Sequence, residues 1–171
     1  MCYIDLSLRE ENMFKVGDFA VYPAQGIGVI ESIESRDFGG QAHDFYVLRL
    51  IDSDMTIMIP TANVEHVGMR TPVCKERLSK VYDILQIEKV EGKLASWSRR
   101  QREYTEKIKT GDLQEVAAVL RELYHLKGDK ELSYGEKKFL DQARRLLVME
   151  IAAVEGAQED VVEQRLENLF H

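Results

Sequence analysis

One short segment gathers groups that can grip an anion and a flat ring together: Ser96-Trp97-Ser98-Arg99-Arg100-Gln101-Arg102. It holds the only tryptophan of the 171 residues, beside three arginines, and the spacing around it predicts the first turn of a helix. Backbone amides at a helix start favour phosphate, and a guanidinium binds phosphate through two parallel hydrogen bonds. An aromatic or apolar wedge flanked by arginines is also a common way into a minor groove, where it unstacks a base step. The same residues admit a core reading. Trp97, Tyr104 and Ile108 fall at i, i+7 and i+11, roughly one helical face, so a partly buried tryptophan explains the spacing as well. A second basic cluster, Lys137, Lys138, Arg144 and Arg145, lies beside an apolar stripe at Phe139, Leu140 and Ala143. A solvated face is its default reading; it becomes a phosphate track only if it is coplanar with the tryptophan turn.

Catalytic chemistry needs converging reactive groups, and the sequence offers none. His43, His66, His125 and His171 are scattered without metal-ligand spacing, and no GxSxG, HExxH or phosphate-loop motif occurs. Gly26-Ile27-Gly28 is followed by β-type sequence rather than a helix, so it reads as a tight strand turn and not a phosphate cradle. The expectation is therefore a non-enzyme with no cofactor, metal or small-molecule substrate. In Met55-Thr56-Ile57-Met58-Ile59-Pro60, strand alternation puts Met55, Ile57 and Ile59 on one face and Thr56, Met58 and Pro60 on the other. Proline cannot donate to a ladder, which marks an edge strand. An exposed apolar edge suits pairing with a partner strand, and packing against the helices is the competing explanation.

The elements that must position these groups change character near residue 72. Before it come short β-branched and aromatic runs: Phe19–Pro23, Ile27–Ile33, Asp44–Ile51 and Met55–Ile59, with Asn63–Val67 as a fifth. Gly39-Gly40 and Asp52-Ser53-Asp54 between them are hairpin signals. This pattern predicts a small antiparallel barrel. After Pro72 the period becomes helical, with Leu78, Val81, Tyr82 and Leu85 at i, i+3, i+4 and i+7. A connector spans Glu88 to Ala95, and a helix follows Ser96 and runs to about Lys109. Asp112 with Glu115, and Ser133 with Glu136, have the spacing of capping boxes. Lys127–Lys130 is expected to end the third helix. A long stripe from Phe139 to Val154 and a shorter one at Val161, Val162, Leu166 and Leu169 complete the set.

The fold class is thus α+β: a small antiparallel β barrel over residues 13–71, then an all-α helical bundle over 72–171, with 1–12 as a flexible extension. The net charge of −7 is unevenly spread. Residues 13–71 carry 4 basic and 8 acidic side chains, 89–145 carry 14 and 10, and 146–171 carry 1 and 6. A basic block between acidic ones is an electrostatic footprint that the total conceals, although a solvated surface of mixed sign reads the same way. Cys2 and Cys74 lack ligand spacing, which suits a reducing compartment. No apolar run approaches the ~20 residues of a membrane span, and the start lacks a signal-peptide layout. A cytoplasmic monomer is the simplest expectation.

Phe14-Lys15-Val16-Gly17-Asp18, Val21-Tyr22-Pro23 through Gly28, the Ile59-Pro60 ending and Trp97-Ser98-Arg99-Arg100 together resemble the CarD/CdnL family of bacterial transcription regulators. So do Lys109-Thr110-Gly111-Asp112 and Gly135-Glu136-Lys137-Lys138, and the resemblance runs in order from about residue 13 to 170. It implies a Tudor-like β domain that binds the RNA polymerase β subunit, and a helical domain that contacts promoter DNA at the upstream edge of the minus-ten element. By position, Trp97 would be the wedge in the minor groove that favours the open complex. Arg99, Arg100 and Arg102 line up with the basic residues after it, and Lys137 and Lys138 with a second basic patch. Arg36, Met58 and Pro60 are the aligned candidates for polymerase docking. The resemblance places the protein at the nucleoid through polymerase, on DNA in a largely sequence-independent way. The alternative is a polymerase-independent, sequence-specific DNA-binding regulator. The wedge requires an indole that stands outside the bundle; a ring sealed in the helical interior would defeat it.

Overall fold

The computed structural model describes residues 14–88 and 94–171. The expected N-terminal extension, Cys2 and residues 89–93 of the connector lie outside the described residues. The chain divides between Pro72 and Val73 into two compact units.

The first unit is an antiparallel meander of β1 (Phe19–Tyr22), β2 (Gly26–Phe38), β3 (Gln41–Leu50) and β4 (Thr56–Pro60), paired in that order and curled into a half barrel. The longest hairpin closes at Phe38 and Gln41 through Gly39 and Gly40, both in the left-handed region with φ of 63° and 84°. A two-residue turn of that kind matches the strand twist and excludes most side chains. The turn between β1 and β2 falls on Pro23–Gln25, one step before the expected glycines. Gly28 instead sits inside the ladder opposite Ala20 and Leu50, where a β-carbon would come within 2.7 Å of the Arg49 carbonyl oxygen. Phe14, Ala20, Ile30, Tyr46, Leu48, Leu50 and Ile59 fill the concave side, with Val64 and Met69 closing it. The Tyr46 hydroxyl accepts the Phe14 N–H at 3.2 Å, so even the entry to the sheet is tied to the core.

The expected fifth strand is helical. Thr61–Asn63 form a single 3-10 turn and Val64–Val67 form α1, ended by Gly68 at φ 75°. Val64 and Val67 are three residues apart, which a helical turn brings to one side and a strand sends to opposite faces. Both pack on the same core, so burial selects the helix. The expected architecture otherwise holds: a small curled antiparallel sheet of Tudor-like, half-barrel form, here with four strands, followed by a helical region.

The second unit comprises α2 (Lys75–Leu85), α3 (Trp97–Lys109), α4 (Leu113–Asp129), α5 (Tyr134–Glu155) and α6 (Glu159–Asn168). In α2 the predicted stripe is realised by buried Leu78, Val81 and Leu85, with Tyr82 half-buried. Asp112 caps α4 by accepting the Gln114 N–H at 2.8 Å. The helix stops within the expected Lys127–Lys130 segment, with Asp129 its last residue and the extended Lys130 as its cap. Leu113, Val119, Leu120 and Leu123 of α4 and Leu147 and Ile151 of α5 make the dry centre of this unit. Among the described residues, no helix is long and apolar enough to cross a membrane.

Candidate functional site

The tryptophan turn is built from the starts of two helices. Ser96 is extended at φ −56°, ψ 153°, and makes Trp97 the first residue of α3. The start of α5 is fixed by a complete capping box: the Ser133 hydroxyl accepts the Glu136 N–H at 3.3 Å, and a Glu136 carboxylate oxygen accepts the Ser133 N–H at 2.8 Å. The two starts are then joined by an ion pair, with the Arg100 Nη2 donating to Glu136 Oε1 at 2.8 Å. Both partners are buried, Arg100 at 5 % exposure and Glu136 at 1 %. Arg100 also donates from Nε to the Ala95 carbonyl, and Lys130 reaches Glu136 at 3.3 Å.

Burial pushes the Glu136 carboxyl upward, but the donors on Arg100, Ser133 and Lys130 outweigh it and hold the group down to about 2. The Tyr104 phenol behaves in the opposite way. Its burial, followed by its hydrogen bond to Glu122 at 2.7 Å, raises it above the ordinary tyrosine range. The Arg100–Glu136 pair is thus buried beneath the tryptophan turn with opposite charges in contact, while Arg100 Nη1 has no hydrogen-bond partner among the described residues.

Trp97 is half-buried, neither sealed in the interior nor free of it. Its ring meets Phe139 edge to face, with centroids 6.1 Å apart, and Phe139 meets Tyr104 in the same way at 5.6 Å. The Arg100 guanidinium stands 5.4 Å from the indole centroid, a cation–π distance. The backbone of Gly135 lies directly against the six-membered ring.

Of the three arginines, only two face water. Arg99 and Arg102 are exposed, and Arg99 pairs with Glu103 at 3.2 Å in an exposed i, i+4 bridge worth little. Arg100 is the correction to the sequence expectation. Its charge is spent on Glu136 in the interior, so it supports the tryptophan and cannot contact a phosphate from that position. Lys137 and Lys138 are both exposed on the first turns of α5, with Lys137 in a loose exposed pair with Glu131. Arg144 leaves this cluster, because it pairs with Asp141 of its own helix at 3.1 Å and with Glu163 and Glu167 of α6 at 3.5 and 3.7 Å. Tyr134, which the sequence gave no reason to single out, is 86 % exposed at the start of α5, next to Gly135.

In the sheet, the strand register puts Arg36, Met58 and Pro60 on one face. Met58 pairs with Val47 and Pro60 with Phe45, while Arg36 pairs with His43. Residues 43, 45 and 47 alternate with the core residues Tyr46 and Leu48, so this is the convex face. β4 is an edge of the sheet. Ile59 enters the core, while Met58 and Pro60 lie on the opposite face and are half-buried, Met58 facing the buried Val47 across the ladder. Phe45 and the 57 % exposed Phe38, with ring centroids 5.9 Å apart, extend that face beyond the residues the sequence pointed to. Arg36 is exposed beside Glu34, 3.2 Å away.

The likeness to known proteins covers both units. A family model for the CarD-like/TRCF RID domain matches residues 14–73, and one for the CarD C-terminal domain matches residues 80–167. The chain is 38 % identical over 147 residues to YdeB of Bacillus subtilis (strain 168), a protein named as a candidate transcription factor; the match spans 86 % of this chain and 95 % of that one. It is 46 % identical to the solved structure of CdnLNt from Myxoccoccus xanthus, over 37 % of this chain and 89 % of that one, with a TM-score of 0.31. With a Tudor-like half barrel and a helical unit each matched in order, the chain belongs to the CarD/CdnL family of transcription factors.

Proposed function

We propose that the protein is a non-enzymatic regulator that docks on the RNA polymerase β subunit through the convex face of its sheet and stabilises open promoters through its helical unit. The Trp97 ring enters the minor groove at the upstream edge of the minus-ten element and fills the space of a base step that has begun to unstack. Arg99, Arg102, Lys137 and Lys138 hold the flanking phosphates without reading sequence. Arg36, Met58 and Pro60 take part in the docking face.

The observation that carries this reading is the half-buried indole at a helix start, with exposed arginines following it and exposed lysines on the adjoining helix start. Docking through the sheet raises the local concentration of the helical unit at the promoter, so weak DNA affinity suffices. This accounts for an acidic protein acting on DNA. Since the wedge fits the unstacked state better than the closed duplex, binding shifts the closed–open equilibrium toward open.

Trp97→Ala is the direct test. Retention on polymerase should be unchanged, and the lifetime of the open complex should fall. An unchanged lifetime refutes the wedge. A tight, sequence-dependent gel shift without polymerase would instead favour a free-standing DNA-binding regulator.

A further inference from the structure

We propose that Gly135 is a positioning residue: its missing side chain forms the floor of a seat for the Trp97 indole, and so sets how far the ring projects from the helical unit. The inference rests on the wedge reading above, which it deepens by naming what fixes the wedge.

Gly135 lies in the first turn of α5, between the capping residues Ser133 and Glu136. It has no conformational reason to be glycine there, since it lies in a regular helix and is not among the residues with positive φ. Glycine is a poorer helix former than alanine, so its presence in this turn calls for a packing cause. The cause is close approach. A β-carbon at this position would lie 2.6 Å from Trp97 Cζ2 and 3.3 Å from Cη2. Real β-carbons do not come that near, and ordinary contact begins at 3.4 Å, so the ring would have to retreat.

The remaining sides of the seat are fixed. Phe139 forms a wall edge-on to the indole, and Phe139 is itself backed by Tyr104. Arg100 stands over the ring and is held by Glu136, the residue immediately after Gly135. The capping box locks the backbone of that turn through Ser133 and Glu136. Ring, floor, wall and cover therefore belong to one rigid corner, and the floor alone can be altered by one methyl group without touching a charge. Gly128 supplies an internal comparison. It too is helical, in α4, but a β-carbon there meets nothing within 4 Å.

Because Trp97 is the only tryptophan, its emission reports this seat without interference. Three measurements on the full-length protein test the proposal. The first is iodide quenching and emission wavelength for wild type, Gly135→Ala and Gly128→Ala. We expect Gly135→Ala to raise quenching and shift emission to the red at unchanged far-UV circular dichroism, and Gly128→Ala to match wild type. The second is Phe139→Leu, which loosens the wall and should raise quenching in the same direction even if the alanine variant folds poorly. The third is open-complex lifetime in a double-mutant cycle of Gly135→Ala with Trp97→Phe, whose smaller ring lacks the obstructed atoms. The alanine should shorten lifetime severalfold beside Trp97 and have little effect beside Phe at that position. Unchanged quenching in a natively folded Gly135→Ala overturns the seat, as does unchanged quenching in Phe139→Leu where the alanine variant does not fold. Raised quenching with unchanged lifetime leaves the seat standing and refutes the wedge.

Discussion

Replacing Glu136 by glutamine should destabilise the helical unit by about 3 kcal/mol at neutral pH, and the loss should vanish in acid. The side chain keeps its size but only one acceptor oxygen, so with the Ser133 N–H still accepted, an amide NH2 instead of an anionic oxygen would face Arg100. In the folded protein the Glu136 carboxyl titrates at about 2 against an ordinary value of 4.5. At 1.36 kcal/mol per pKa unit, that difference is worth about 3 kcal/mol of folded-state preference for the ionised form. An independent figure agrees: removing one partner of a buried pair costs about 3–5 kcal/mol, because the other charge is stranded. Arg100, 5 % exposed, would be the stranded charge. Lys130 loses the same partner but is half-exposed, so water compensates it.

The sign of the pH dependence follows from the depressed folded value. The stabilisation is complete above about 4.5 and is lost as pH falls toward 2, where a protonated Glu136 resembles glutamine. Urea unfolding of both proteins, followed by Trp97 emission and far-UV circular dichroism from pH 7 down to pH 2.5, measures the gap at each point. It should be widest at neutral pH and close progressively below pH 4.5. A neutral-pH gap under about 1 kcal/mol, or a gap that stays constant on acidification, would refute the claim that this buried pair is a net stabiliser.

Two further outcomes concern the proposed interfaces. Arg99→Gln and Arg102→Gln should each flatten the dependence of log affinity on log salt for promoter DNA by up to about 0.9. Arg100→Gln should leave that slope unchanged while lowering thermal stability; equal slopes for all three variants would show that exposure does not select the phosphate contacts. Met58→Glu adds a charge to the convex face without disturbing the core, so it should weaken co-purification with polymerase at constant melting temperature. Undiminished co-purification would move docking off that face.

What the sequence made legible is what is encoded locally. Ser133 and Glu136 are three residues apart, and their box formed as spaced. Gly39-Gly40 named its own turn, and the stripe of α2 buried the residues its period selected. Asn63–Val67 was misassigned because five residues carry too little pattern to separate periods, and only the concave core decides where Val64 and Val67 point. The inward turn of Arg100 had one local signal, its place four and eight residues before Tyr104 and Ile108 on the buried face of α3, but nothing local named its partner. That partner stands 36 residues away and is met only when α5 is packed against α3. The same holds for Gly135, whose reason for being glycine lies on another helix. Phe45 was closer to legible, since strand alternation already set it opposite the core-facing Tyr46.

The hairpin of β2 and β3 is longer than its neighbours. β1 reaches only to Val29 on one side, and β4 stops where Pro60 meets Phe45 on the other. From Ser35 to Asp44 the ribbon therefore overhangs the sheet, and Arg36 rides on it while Met58 and Pro60 sit on the fully paired portion. In the docking proposed above, such a face would present a base flanked by neighbouring strands and a tip supported only by its own hairpin. The base would fix position with little entropy left to lose, and contacts at the tip could differ between recipient surfaces without repacking the half barrel beneath.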